Sequence, residues 1–229
     1  MVSRELVELL MKHDALVFGE FTTKSGRKSP YFVNMGKIHS GIGVSQLASY
    51  YAEKIIERKD EGAISGEIKC IYGPAYKGIP LAVATSMELA RIYGWDLPFS
   101  FNRKESKDHG EGGDFVGYDI QPGDSILIIE DVITAGTAVR ESLELLNKRG
   151  LVKIEGVLVC LDRMERGLTH LSATQELYLN HNTPVYPLVC LQELIHILQD
   201  AEMEGMPLVA RGNRMAMEDY LLKYGVSDS

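Results

Sequence analysis

The chain has 229 residues, 45% of them hydrophobic and 24% charged, with a formal net charge of −8. That length supports a sizeable globular core, and the acidic balance argues against general nucleic-acid or anionic-membrane binding while leaving room for a local cationic site. No apolar run nears the roughly 18 residues of a membrane span, and the charged, amphipathic "MVSRELVELLMKHD" is not a signal peptide, so a cytosolic protein is the default expectation.

Ser3 can cap a first helix whose apolar face is Leu6, Leu9 and Leu10. A polar, turn-rich stretch runs from Phe21 to Asn34, and Leu47, Tyr51 and Ile55 predict a helix over 45–59. The pattern then alternates. A short strand over Ile68–Tyr72 ends at "GPAYKGIP", and a helix over Leu81–Tyr93 leads to a strand near Leu97–Phe101. Glycine-rich "NRKESKDHGEGGD" follows, then strand-like "FVGYDI", the turn "QPGD" and the apolar run "SILIIED". A helix over Thr137–Lys148 ends in Arg149-Gly150, a cationic last turn with a C-cap glycine, before a strand over Val152–Asp162. Cys70, Cys160 and Cys190 lie far apart with no C-x-x-C, as for small buried hydrophobes in a reducing compartment. There is no internal repeat or long linker.

Strands alternating with helices predict an α/β fold with a mostly parallel sheet covered on both faces. Ligands of such sheets sit beyond the carboxyl ends of the strands. The loops after Tyr72, Phe101, Ile129 and Leu161 are therefore candidates to share one site. The third carries the most chemistry. Four aliphatic residues, Ile126–Ile129, deliver Glu130 and Asp131 to a strand tip, and "ITAGTA" opens the next helix. Small residues let backbone N–H groups turn inward, and a helix N-terminus adds partial positive charge, which together make a phosphate cradle. Thr134 and Thr137 offer hydroxyls. Neither a Walker A loop nor G-x-G-x-x-G is present. Two acids before a phosphate cradle suit a sugar phosphate, and they can also help balance a ligand-held Mg²⁺. The plainer alternative is an ordinary strand–helix turn.

"ILIIEDVITAGTA" resembles the phosphoribosyl-diphosphate (PRPP) motif of the type I phosphoribosyltransferases. "GPAYKGIP" is similar to that family's pyrophosphate loop, with Tyr76 and Lys77 as contacts, and the resemblance implies a non-proline cis peptide at Ala75-Tyr76. "FNRKESKDHGEGGD" resembles the catalytic loop of the orotate phosphoribosyltransferases; by itself it reads as a solvated loop. "KSGRKSPYFVN" fits that family's N-terminal hood over the base, and "LDRMERG" supplies Arg163 after a strand end. The alternative for Phe32 is an anchor of the N-terminal segment, and an isolated Arg163 reads first as a surface ion-pair partner. The final "EDYLLKYGV" looks like the family's terminal tail.

The resemblance implies a type I phosphoribosyltransferase fold over residues 1–229, with a core of about 41–190. A hood is formed by about 1–40 plus part of the C-terminal region. It implies transfer of 5-phosphoribosyl from PRPP to orotate with Mg²⁺, in a homodimer whose 102–115 loop acts across subunits, with no nucleic acid or membrane partner. Lys104, Lys107, His109 and Asp131 are the implied catalytic residues. PRPP falls to Tyr76, Lys77, Arg103, Lys104, Lys107, His109, Glu130, Asp131 and the loop Thr134, Ala135, Gly136, Thr137 and Ala138. Orotate falls to Lys24, Tyr31, Phe32, Thr134 and Arg163. Glu130 departs from the Asp carried by many members. The alternatives are a purine phosphoribosyltransferase, which has no special use for Arg163 or the hood, and a PRPP-sensing regulator, which predicts an added DNA-binding module or a basic face. His13, His39, His170, His181 and His196 lack metal-ligand spacing and read as surface or packing residues. "EGMPLVARGNRMAM" receives no role.

Overall fold

A computed structural model describes residues 4–23, 25–104, 114–148, 150, 152–167, 169–205 and 207–226. Ser3, Lys24, Lys107, His109 and Arg149 lie outside the described residues. Helix α1 (Arg4–Lys12) buries Leu6, Leu9 and Leu10, as their spacing predicts. A two-stranded antiparallel hairpin follows, β1 (Leu16–Thr22) and β2 (Lys28–Val33). Helix α2 (Gly41–Asp60) starts earlier than its apolar pattern suggests, because the Ser40 hydroxyl accepts from the Gly43 amide at 3.1 Å and caps it.

The main sheet has six strands in the order β5-β4-β3-β6-β7-β8. They are β3 (Cys70–Tyr72), β4 (Phe99–Asn102), β5 (Phe115–Gly117), β6 (Ser125–Ile133), β7 (Lys153–Asp162) and β8 (Val185–Cys190). All pairings are parallel except β4 with the edge strand β5. Between them lie α3 (Gly78–Tyr93), α4 (Thr137–Asn147) and α5 (Ala173–His181), and α6 (Leu191–Met203) and α7 (Arg211–Tyr224) close the chain. Helix α4 ends at Asn147, so its last turn holds no basic residue and Lys148 is its cap.

The apolar run of β6 is continuous because both faces of the sheet are covered. Leu127 and Ile129 enter one core cluster with α1, α2, α3 and α6, while Ile126 and Ile128 enter a second with α4 and α5. Strand β7 divides likewise, Leu158 and Cys160 to the first cluster and Val157 and Val159 to the second. No described helix is long and apolar enough to cross a membrane.

Candidate active site at the carboxyl edge of the sheet

Register brings the predicted loops together. Tyr72 pairs with Ser100 on one side and Ile128 on the other, and Ile133 pairs with Asp162. The ends of β3, β4, β6 and β7 thus open on one edge. Past Ile128, strand β6 carries Glu130 and Asp131, both mostly buried. Asp131 Oδ1 accepts from the Val132 amide at 2.8 Å, and Oδ2 lies 2.7 Å from Lys77 Nζ. Glu130 Oε1 accepts from the Asp131 amide at 2.9 Å, and its main-chain oxygen accepts from the Tyr51 hydroxyl at 2.8 Å. Burial pushes the Glu130 carboxyl up to about 7, with the Asp131 charge adding to the rise.

After β6 the chain turns through exposed Thr134 and Ala135 to Gly136, whose φ of 69° places it in the left-handed region favoured by glycine. Gly136 is the N-cap of α4 and supplies no side-chain cap, unlike Ser172 and Cys190, which close α5 and α6 with capping boxes. The first amides of α4, next to exposed Thr137 and Ala138, therefore lack intrahelical acceptors and remain available to an anion. Arg140 pins the turn by donating to the Ala135 carbonyl.

The second loop folds back on itself. A Cβ on Gly73 would lie 2.2 Å from the Gly78 oxygen, and one on Gly78 would lie 2.8 Å from the Gly73 carbonyl carbon, so both positions require glycine. Ala75-Tyr76 is a cis peptide, as the family resemblance implied. Asn102, at the end of β4, holds the loop: its Oδ1 accepts from the Ala75 amide at 2.8 Å and the Tyr72 hydroxyl at 3.0 Å. Lys77 then opens α3 without a side-chain cap. Tyr76 is exposed, with Lys104 Nζ 5.1 Å from its ring centroid. The Arg103 amide donates to the Asp114 carbonyl, while its buried Nε has no partner among the described residues.

The β1–β2 hairpin and α7 meet the same edge at Arg163, which follows β7. Its guanidinium is buried; Nε donates to Glu165 at 2.6 Å and Nη2 to Ser29 at 3.1 Å and the Tyr220 hydroxyl at 3.4 Å. Its Cζ lies 4.3 Å from the centroid of the Tyr31 ring. The turn that presents Arg163 is held by Asp162, which accepts from the Met164 amide at 2.8 Å, with Met164 at a φ of 55°.

One expectation needs correction. Tyr31 does not offer a stacking face to a ligand: it is fully buried, with Arg163 over its ring and Tyr220 against it edge-on. Adjacent strand residues point to opposite faces, so Tyr31 takes the anchoring place in the core. Phe32 remains 47% exposed, with one face stacked on Phe21.

Sequence reasoning missed Asn102, Tyr51, Ser29, Glu165 and Tyr220. Four sat inside stretches already singled out, but nothing local marked them as partners; Tyr51 was read only as part of a helical apolar stripe. The segment left without a role supplies the start of α7, which leads to Tyr220.

An uncapped helix start after paired strand-tip acids, beside a second glycine loop on the same edge, suits a sugar phosphate. The family model described as "Phosphoribosyl transferase domain" matches residues 43–178. The chain is 44% identical to orotate phosphoribosyltransferase of Shigella dysenteriae over 97% of its own length and 98% of that protein. It is 45% identical to that of Acinetobacter baylyi over 96% and 94% of the two chains. The crystal structure of the Francisella tularensis orotate phosphoribosyltransferase superposes with a TM-score of 0.80 at 36% identity, covering 96% of this chain and 99% of that one. The chain belongs to the orotate phosphoribosyltransferase family.

Proposed function

We propose that this site transfers the 5-phosphoribosyl group from PRPP to orotate, releasing pyrophosphate and forming orotidine 5′-monophosphate for pyrimidine (UMP) biosynthesis. The observation that carries the reading is the pairing, on one edge, of the strand-tip acids and their uncapped helix with a buried guanidinium under the hood. The first suits a ribose 5-phosphate. The second suits a flat base bearing a carboxylate.

In the reaction the orotate ring nitrogen bonds to the anomeric carbon as the bond to the diphosphate oxygen breaks, and that electron pair leaves with pyrophosphate. No protein nucleophile is required. The amides of 134–138 take the 5-phosphate, and the hydroxyls of Thr134 and Thr137 add donors. Ribose hydroxyls replace Lys77 at Asp131, which frees Lys77 for the departing diphosphate beside Arg103 and Lys104. Asp131, with Glu130 where ionised, offsets the positive charge developing on the sugar. Lys107 and His109 are assigned to the same diphosphate by the motif. Closure of their loop would exclude water that otherwise competes for the sugar centre.

Among the described residues no three His, Cys, Asp or Glu side chains converge into a metal site. A Mg²⁺ would be held mainly by diphosphate oxygens and water near the Glu130 and Asp131 carboxylates, where it would neutralise diphosphate charge. At the base end, Phe32 covers the ring, Arg163 and Lys24 take the carboxylate, and Thr134 borders the base. The hairpin β1–β2 with α7 is the hood, and the 102–115 loop acts on the neighbouring subunit of a homodimer in the cytosol.

Ultraviolet monitoring of orotate with PRPP and Mg²⁺ tests the reading, with adenine, hypoxanthine and uracil as alternative acceptors. Orotate alone is expected to turn over. Turnover of a purine with none of orotate would sink the assignment.

A further inference from the structure

Arg163 is not a loose surface cation. Taking a guanidinium out of water requires a carboxylate and well-formed hydrogen bonds, and Glu165 provides them, itself almost fully buried. Glu165 Oε1 accepts from Arg163 Nε at 2.6 Å and from the Tyr220 hydroxyl at 2.9 Å. Its Oε2 accepts from Arg27 Nη1 at 3.0 Å. Arg27 also donates to the Arg166 carbonyl at 2.8 Å and lies over the Tyr224 ring. Two guanidiniums thus share one carboxylate, and the knot they form carries one surplus positive charge.

Geometry narrows where that charge is offered. Nε and Nη2 of Arg163 are committed to Glu165, Tyr220 and Ser29, and the Tyr31 ring fixes the plane of the fork from below. Among the described residues Nη1 has no hydrogen-bond partner. A long side chain that would otherwise sample many rotamers is held in one, so a bound anion meets a donor already oriented.

We infer that Glu165 and Tyr220 are positioning residues, which set Arg163 to receive the carboxylate of the base and so bring the C-terminal helix into the choice of acceptor. The inference rests on the reading of Arg163 as an orotate ligand. Neither residue touches the substrate; both act through the guanidinium.

The test is steady-state KM for orotate and for PRPP, with thermal midpoints, in the wild type and in Arg163→Ala, Glu165→Gln and Tyr220→Phe. Arg163→Ala is expected to raise the orotate KM by about a hundredfold, Glu165→Gln by about tenfold and Tyr220→Phe by about threefold. The PRPP KM should stay within about twofold, since the diphosphate end is untouched. If Arg163→Ala raises the orotate KM while the other two leave it unchanged, the positioning inference falls and the reading of Arg163 stands. An unchanged orotate KM in Arg163→Ala itself overturns both. A parallel rise of both KM values in Glu165→Gln and Tyr220→Phe marks a merely structural role and overturns the inference. Should Glu165→Gln fail to fold, Tyr220→Phe decides, because it keeps the ring against Tyr31 and removes only the hydroxyl.

Discussion

The proposed sugar-phosphate end of the site and the proposed base end are built by different means. The first comes from two contiguous loops, Gly73–Gly78 and Glu130–Ala138, whose main chain does most of the holding. Its glycines act by allowing backbone to approach backbone, and its helix starts are left uncapped. The base end is assembled from side chains far apart in the sequence: Arg163 meets Ser29 across 134 positions and Tyr220 across 57. Damage to the first is therefore steric or catalytic, whereas damage to the second passes through charge and orientation.

The largest test of this contrast removes an acid from the strand tip. Asp131→Ala should cut turnover by about 10²- to 10³-fold, the usual scale for losing a preorganised charge at a reacting centre. Lys107→Ala should fall similarly, with orotate binding largely kept. If the loop serves the neighbouring subunit, mixing the two inactive variants restores activity in hybrid dimers. No rescue after verified subunit exchange would mean that the loop acts within its own chain.

A smaller effect should follow Gly73→Ala. The added methyl meets the Gly78 oxygen at 2.2 Å, so the loop must move, at a cost of about 3 kcal/mol in denaturant unfolding. A midpoint unchanged from the wild type would show that this main-chain contact is not what shapes the diphosphate end.

The smallest effect is a change in pH dependence. With its carboxyl raised from 4.5 to about 7, native Glu130 holds its proton where the unfolded chain has lost it. Stability therefore falls as pH rises between those two values and levels off above them. Glu130→Gln should flatten that part of the thermal-midpoint profile of the ligand-free protein between pH 5 and 8. A profile of unaltered slope would place the burden elsewhere, on groups outside the strand tip.

Most of the local structure around Glu130 and Asp131 was legible beforehand. Four aliphatics before two acids and a small-residue turn describe a buried strand, its tip and a helix start, all properties of consecutive residues. The glycine loop came from the family resemblance rather than from local logic, and its brace by Asn102 arrives from the next strand. At the base end the residue types were visible and their partners were not. Tyr31 and Phe32 were bound to face opposite ways in a strand, but only the packing of α7 against the hairpin decided which one was buried.

The sequence by itself therefore determined the alternating elements and the shared edge of the sheet, because hydrophobic period and turn chemistry are encoded over a few neighbouring residues. Tertiary structure alone decided that Arg163 would be shared with Glu165, Tyr220 and Ser29, and that the C-terminal helix would brace it. Those partners lie up to 134 positions apart, and only the docking of whole elements brings such groups within hydrogen-bonding distance.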